Sequence, residues 1–363
     1  MRRIKLKSCF LRIFALVMAV FFVFVVTKSN FDFADDIKYI YSTFIGQKSP
    51  YNGIIEVWNI DSFESGLKSK TSFLEEMGKT FQKRNKGVYV LVRNLTIGEC
   101  ENLISKGETP DLVSCSYGVV DKIKEYITAF EGEIKGLSDK FLNSGKKNGE
   151  LYGLAWCVGF YSLISTKAKI EKAGYDLEKD CLNEIAYLSG YEYKVGKKTK
   201  ISKSITFGTG DYLMPKNALK AYNKARSILI EENMNEELNL KSQYSAYTSF
   251  LSNDATILLG THRDVFRMIN REEKGKVTDA IYLPLLNWTD LVQFSFLCKN
   301  DNKLRKMTAE KFAKFLVESD NQEKVEEIGM FSVNDLQVPK IKGIMRDIIL
   351  ENFNDLEIKN IFD

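Results

Sequence analysis

The segment 151–166, LYGLAWCVGFYSLIST, carries no charged residue in a chain where 28% of residues are charged. It holds Tyr152, Trp156, Phe160 and Tyr161 and is interrupted by Gly153 and Gly159. A continuous apolar run between polar segments reads as buried strand. It is longer than a strand's usual length of roughly 5–6 residues. Two consecutive strands are therefore expected, with a bend near Gly159, where a missing side chain permits a kink or a close backbone approach.

Before this segment the pattern alternates between periods. Residues 54–59 alternate and read as a strand. Residues 68–84 read as a helix with Phe73, Leu74, Met77 and Phe81 on one face. A strand over 88–93, a short helix over 99–106 and a strand after Pro110 follow. Strands alternating with helices predict βαβ units and a parallel sheet. Ligands of such sheets sit beyond the carboxyl ends of strands, here Trp58 to Asp61 and Cys115 to Tyr117.

After the segment, a helix is expected over 167–173 and an amphipathic helix over 216–230, with strands over 255–260, 281–285 and 294–298. Helices are expected from Arg263 and over 304–317, 321–328 and 340–353. The lysine-rich 194–203 reads as a solvated hairpin.

At 363 residues the chain exceeds what one core usually supports, about 250–300 residues. Two lobes are expected. The net charge of +4, from 52 basic and 48 acidic residues, gives no case for nucleic acid. The single histidine, His262, removes HExxH and His-rich metal sites, and reads as a structural polar residue. No phosphate-binding or dinucleotide-binding glycine motif is present, so no cofactor is expected. Cys100, Cys115, Cys157, Cys181 and Cys298 lack C-x-x-C spacing, and no metal site is expected. At the N-terminus, Arg2, Arg3, Lys5, Lys7 and Arg12 precede an apolar run over 13–26. That layout reads as an uncleaved membrane anchor within 1–30, with a cleaved signal peptide as the alternative. A spacer over 31–50 follows, and the positive flank places the rest of the chain outside the cytoplasm.

Five stretches, in order, resemble the extracellular solute-binding proteins of ABC importers, sugar type: EVWNIDSFESG, PDLVSCSYG, GELYGLAWCVGFYSLIST, FLSNDATILLGTHRDVFR and AEKFAKFLVESDNQEKVEEIGMFSVN. The resemblance implies an α/β, two-lobed periplasmic-binding-protein-like fold of type II. Each lobe is then a mostly parallel sheet flanked by helices, with the ligand cleft between lobes. It places 51–156 and 261–298 in lobe 1, and 157–260 and 299–363 in lobe 2. It implies a monomer that captures a small solute, favoured as a sugar or oligosaccharide, and delivers it to permease subunits without chemistry; the N-terminal apolar segment, read above as an anchor, would tether it to the membrane. A surface sensor with the same fold and a secreted glycosidase are the alternatives.

The same resemblance selects ligand candidates. Trp58 offers a flat indole after the first strand, or else packs the core. Asp61 accepts sugar hydroxyls, or else caps the next helix. Ser116 and Tyr117 end the third strand, where Ser116 also suits a turn. Trp156 and Tyr161 flank the bend, with Trp156 preferred for the cleft. Thr261 and Arg263 follow the return from lobe 2, expected near Gly260, with a surface role open to Arg263. Trp288 is a loop tryptophan that stacks on a ligand or covers a core. Asp211, beside Tyr212, is offered from lobe 2.

Overall fold

The computed structural model describes residues 50–174, 176, 205–209, 240–334 and 356–363. The N-terminal leader, the lysine-rich stretch, Asp211, Cys181 and the helices expected over 216–230 and 340–353 lie outside them. Among the described residues no helix is long and apolar enough to cross a membrane.

The chain opens with β1 (Gly53–Ile60), α1 (Lys70–Arg84), β2 (Val88–Leu95), α2 (Ile97–Ser105) and β3 (Leu112–Cys115). β1 pairs in parallel with β2 and β3, as the alternating periods predict. α1 starts at Ser69, whose Oγ accepts from the Ser72 amide at 3.0 Å, and buries Phe73, Leu74, Met77 and Phe81. Thr96 and Glu99 form a capping box that starts α2.

Short elements follow: α3 (Val120–Ile123), β4 (Ile127–Thr128), α4 (Asp139–Ser144), and the hairpin β5 (Lys146–Lys147) with β6 (Glu150–Leu151). Its turn residues Asn148 and Gly149 have φ of 52° and 87°. Asn-Gly is the pair that tolerates two left-handed residues in a two-residue turn. The uncharged segment then divides as expected into β7 (Gly153–Val158) and β8 (Tyr161–Thr166).

The chain continues through α5 (Lys167–Lys172), β9 (Ile205–Thr209), β10 (Leu240–Ser242), α6 (Gln243–Leu251), β11 (Ile257–Thr261), α7 (His262–Glu273) and β12 (Ala280–Leu285). It ends with β13 (Trp288–Thr289), β14 (Val292–Cys298), α8 (Lys303–Leu316), α9 (Ser319–Gln322), a 3₁₀ turn at Val325–Ile328, and β15 (Glu357–Ile358).

Among the described residues two larger sheets hold most of these strands, beside the two-stranded pairs β5–β6 and β13–β15. The first has the order β2-β1-β3-β14-β4, with β7 also on β14. The second has the order β10-β9-β11-β8-β12. In each, a single antiparallel strand is inserted between parallel ones: β14 in the first and β8 in the second.

The sheets divide the chain differently from the boundaries read in the sequence. Residues 261–298 were expected to rejoin lobe 1, yet β12 pairs along the whole of β8 in the second sheet. The expected return near Gly260 is instead a strand still inside that sheet, because β11 is followed by a helix and one more strand to add. Residues 299–363 were expected in lobe 2, yet α8 packs on the first sheet and α1. Its Phe312 and Phe315 meet Phe81 of α1 edge-on, at 5.2 and 5.4 Å between ring centroids. That apolar face of α8 finds its cover there.

Candidate functional site

The strand directions focus both sheets on one junction. In the first sheet Phe294, near the start of β14, lies opposite Cys115, the end of β3. In the second, Tyr161 starts β8 opposite Thr261 and Leu285, the ends of β11 and β12. The carboxyl ends of parallel strands therefore meet the amino ends of both inserts.

Two crossings join the sheets here. The first is Gly159 and Phe160, between β7 and β8. The second runs over 286–291, between β12 and β14. They are bonded side by side: the Gly159 amide donates to Leu291 O at 2.6 Å, and Thr289 Oγ1 donates to Gly159 O at 3.0 Å. Tyr161 Oη donates to Asp290 Oδ1 at 2.9 Å, which ties the first crossing to the second. Burial, reinforced by Asp290, pushes the Tyr161 phenol well up. The bend at Gly159 has a packing reason. A Cβ there would lie 2.2 Å from His262 Cε1 and 2.4 Å from Nδ1.

Under the junction, the first lobe holds a buried polar network. Ser114 Oγ donates to Asn59 Oδ1 at 3.0 Å. Gln293 Nε2 lies within 3.3 Å of Asn59 Oδ1, Ser114 Oγ and Ile60 O. Asn59 Nδ2 reaches Thr71 and Asn94, each at 3.1 Å. Gln293 Oε1 is buried without a hydrogen-bond partner among the described residues. Such an atom costs about 1–3 kcal/mol unless something satisfies it.

The facing charges follow. Lys70 is fully buried at the first helical position of α1, where the helix dipole disfavours a cation. Asp61 at 3.3 Å, the Phe63 carbonyl and the Phe63 ring, 3.7 Å from Nζ to centroid, hold it. From the second lobe, His262 sits edge-on to Phe63, with centroids 6.3 Å apart, and its Nε2 lies 3.0 Å from Met330 Sδ. Burial, and then the Lys70 charge, draw His262 down to about 3. The imidazole is therefore neutral at ordinary pH. Arg263 pairs with Glu64 across the junction. The lobes thus meet through Phe63–His262 and Glu64–Arg263.

Against this geometry the sequence candidates separate. Asp61 and Arg263 reach the junction surface, Asp61 as the Lys70 partner and not as a helix cap, since Ser69 caps α1. Ser116 and Tyr161 reach Asp290 in the second crossing, so they sit in the hinge. Thr261 opens α7, its amide donating to Asp264 Oδ2 at 3.1 Å. Tyr117 is buried and its hydroxyl donates to Lys359 O.

The three tryptophans are corrected from cleft to core. Trp156 is fully buried, stacked on Phe73 with centroids 5.1 Å apart and planes at 3°. The β14–β7 register passes over Trp156 at a bulge, which turns its indole inward to Ser114 Oγ at 3.3 Å. Trp58 shares a strand face with Glu56, to which its Nε1 donates at 2.8 Å, away from the junction. Trp288 lies in β13, paired with the C-terminal β15. The sequence reading missed Lys70, which resembles any lysine in a first helical turn. It also missed Gln293, where a lone amide in the apolar VQFSFLC was a usable signal. Among the described residues the thiols are poor nucleophiles: burial pushes Cys115, Cys157 and Cys298 far up, and Cys100 to about 11.

No protein-family model matches the sequence, and no curated protein matches it. Solved structures do. Maltose-bound MalE3 of T. maritima superposes with a TM-score of 0.60 at 14% identity, over 85% of this chain and 89% of that one. The chain has the two-lobed type II fold of periplasmic solute-binding proteins. The spermidine/putrescine ABC transporter substrate-binding protein PotD of Streptococcus pneumoniae shares this type II fold, with a TM-score of 0.59 at 13% identity over 86% and 94%. So does thiaminase I of Bacillus thiaminolyticus, with a TM-score of 0.55 at 12% identity over 85% and 93%. The type II fold thus hosts sugar binding, polyamine transport and catalysis.

Proposed function

We propose that the chain captures a small solute between its lobes and delivers it to the permease subunits of an ABC importer, without chemistry. One lobe is built on the first sheet with α8, the other on the second sheet. The N-terminal apolar segment tethers the chain at the outer face of the membrane. The observation that carries this reading is the junction itself. Two hydrogen-bonded crossings form a hinge there, beside the polar network of Asn59, Ser114 and Gln293. Lobe closure on a solute works when its contacts favour the closed state. A carbohydrate is favoured because the network of Asn59, Ser114 and Gln293 is made of neutral amides and a hydroxyl, with Lys70, Asp61, Glu64 and Arg263 beside it.

The test is a thermal-shift screen of the chain from Tyr51 onward. A saturating sugar at about a hundredfold over its Kd adds about 2.7 kcal/mol. A shift with a polyamine, amino acid or peptide and none with mono- or oligosaccharides sinks the carbohydrate assignment. No shift with any of them favours a second reading, a surface sensor or interaction protein. The packing of Phe63, Phe160, Phe331 and His262 in the junction motivates that alternative.

A further inference from the structure

A cavity of about 550 Å³ opens at the far end of the first sheet from the junction. β14 enters the sheet at the junction with Val292 and leaves at Cys298, where β4 pairs with it and the cavity begins. The volume falls in the range of small-molecule sites, roughly 300–1,000 Å³.

Its walls come from four stretches of the chain, 124–129, 147–152, Lys299 and Phe362, and the last three are pinned by hydrogen bonds. The β5–β6 hairpin leads into Tyr152, whose amide donates to Gly145 O at 3.1 Å. Lys299 follows β14, its amide donating to Tyr126 O at 2.8 Å. The C-terminal segment supplies Phe362, fixed by Ile361 N on Ser144 O at 2.8 Å and by Asn360 Nδ2 on Asn143 O and Lys146 O at 3.0 Å.

The lining combines lysines with aromatic rings, and Lys147 Nζ lies 5.5 Å from the Phe362 ring centroid. Lys124, Lys147 and Lys299 share the lining with one carboxylate among the described residues, Glu150, whose Oε2 accepts from Tyr152 Oη at 2.9 Å. The Lys124–Asp121 contact is 3.4 Å between exposed groups and holds the ammonium weakly. Lys299 Nζ donates one bond to Glu125 O at 2.7 Å, and an ammonium has two more to give. Tyr152 and Phe362 meet edge-on, ring centroids 6.0 Å apart, and make an apolar corner, with Thr128 and Asn148 also in the lining.

We propose that this cavity binds an anionic monosaccharide, a sugar phosphate or a uronate. Its anion meets the lysines, its carbon skeleton packs in the corner between Tyr152 and Phe362, and its hydroxyls reach Thr128, Asn148 and Glu150. The site stands apart from capture between the lobes and goes beyond that reading.

Isothermal titration of the full-length chain with glucose 6-phosphate, glucuronate, glucose and inorganic phosphate tests it. Glucose 6-phosphate or glucuronate binds saturably at millimolar concentration or below, and whichever binds identifies the anion. The Lys147→Gln/Lys299→Gln variant, changed only at exposed positions, binds it about tenfold more weakly. Lys106→Gln, at an exposed position outside the cavity, leaves the affinity unchanged, and urea unfolding of each variant reports on folding independently. The proposal is overturned if neither anionic sugar binds, if glucose or inorganic phosphate binds as tightly as the anionic sugar, or if the double lysine variant leaves affinity unchanged. A solute held between the lobes is blind to that variant, so failure of either reading shows separately.

Discussion

The two sheets share one strand scheme but complete it in opposite ways. In the second sheet the antiparallel insert β8 arrives first, directly from β7. In the first sheet the insert β14 arrives last, after the second sheet has been completed. The inserts also carry different chemistry to the junction. β14 brings Gln293, an amide spread over several neutral partners. β8 brings Tyr161, with one bond to a carboxylate. A repeated topology therefore does not repeat the site. The first lobe supplies the neutral polar network, and the second supplies His262 and Arg263.

The strongest way to break the comparison is to strike the residue that both sheets share. Gly159→Ala places a methyl on the His262 ring, at 2.2 Å from Cε1. Overpacking of this kind costs about 1–3 kcal/mol, and a backbone already bonded to Leu291 and Thr289 leaves little room to relax. We expect a loss near the upper end, about 3 kcal/mol by urea unfolding. Adding His262→Ala removes the obstructing ring, so the two losses should be less than additive. Strict additivity would mean that the glycine answers to something other than the histidine.

A smaller effect sharpens the contrast between inserts. Tyr161→Phe removes a hydrogen bond to a carboxylate, which costs about 2 kcal/mol. Gln293→Met removes neutral bonds but also the unpartnered Oε1, so the loss should be only about 1 kcal/mol. The reverse order would show that the network, not the single charged bond, is the stronger tie.

How much of this was legible follows from where the information sits. β7, β8 and the bend at Gly159 were readable because an uncharged run with a central glycine is local. So was α1, whose apolar residues repeat at helical spacing. The lobe boundaries were not, because the pairing of β12 with β8 joins residues such as Leu285 and Tyr161 across more than a hundred positions of chain. Trp156 was misplaced for a subtler reason: the bulge that turns it inward is set by β14, not by its neighbours. Trp288 was read as a loop residue because its strand partner, Glu357, comes from the C-terminal segment. Lys70 had no local signature, since its burial is imposed by Phe63 and Asp61 from the preceding loop.

The smallest predicted effect concerns the one residue where the lobes touch and a proton is at stake. His262 belongs to α7 of the second lobe yet faces Phe63 of the first. Its folded value is held down at about 3, against about 6.5 for an ordinary histidine. The unfolded chain therefore takes up a proton as pH falls through about 6.5, while the folded chain stays neutral until about 3. Stability is unaffected above that window and declines within it as pH falls, with a slope approaching about 1.4 kcal/mol per pH unit. Between about pH 6.5 and 5.5 most carboxylates are still ionised, and the chain has a single histidine. Urea unfolding across that interval should show the slope in the wild type and its loss in His262→Gln, whatever the absolute stability of the variant. Equal slopes in the two proteins would mean that the imidazole is open to water, and hence that the lobes part at the Phe63–His262 contact in solution.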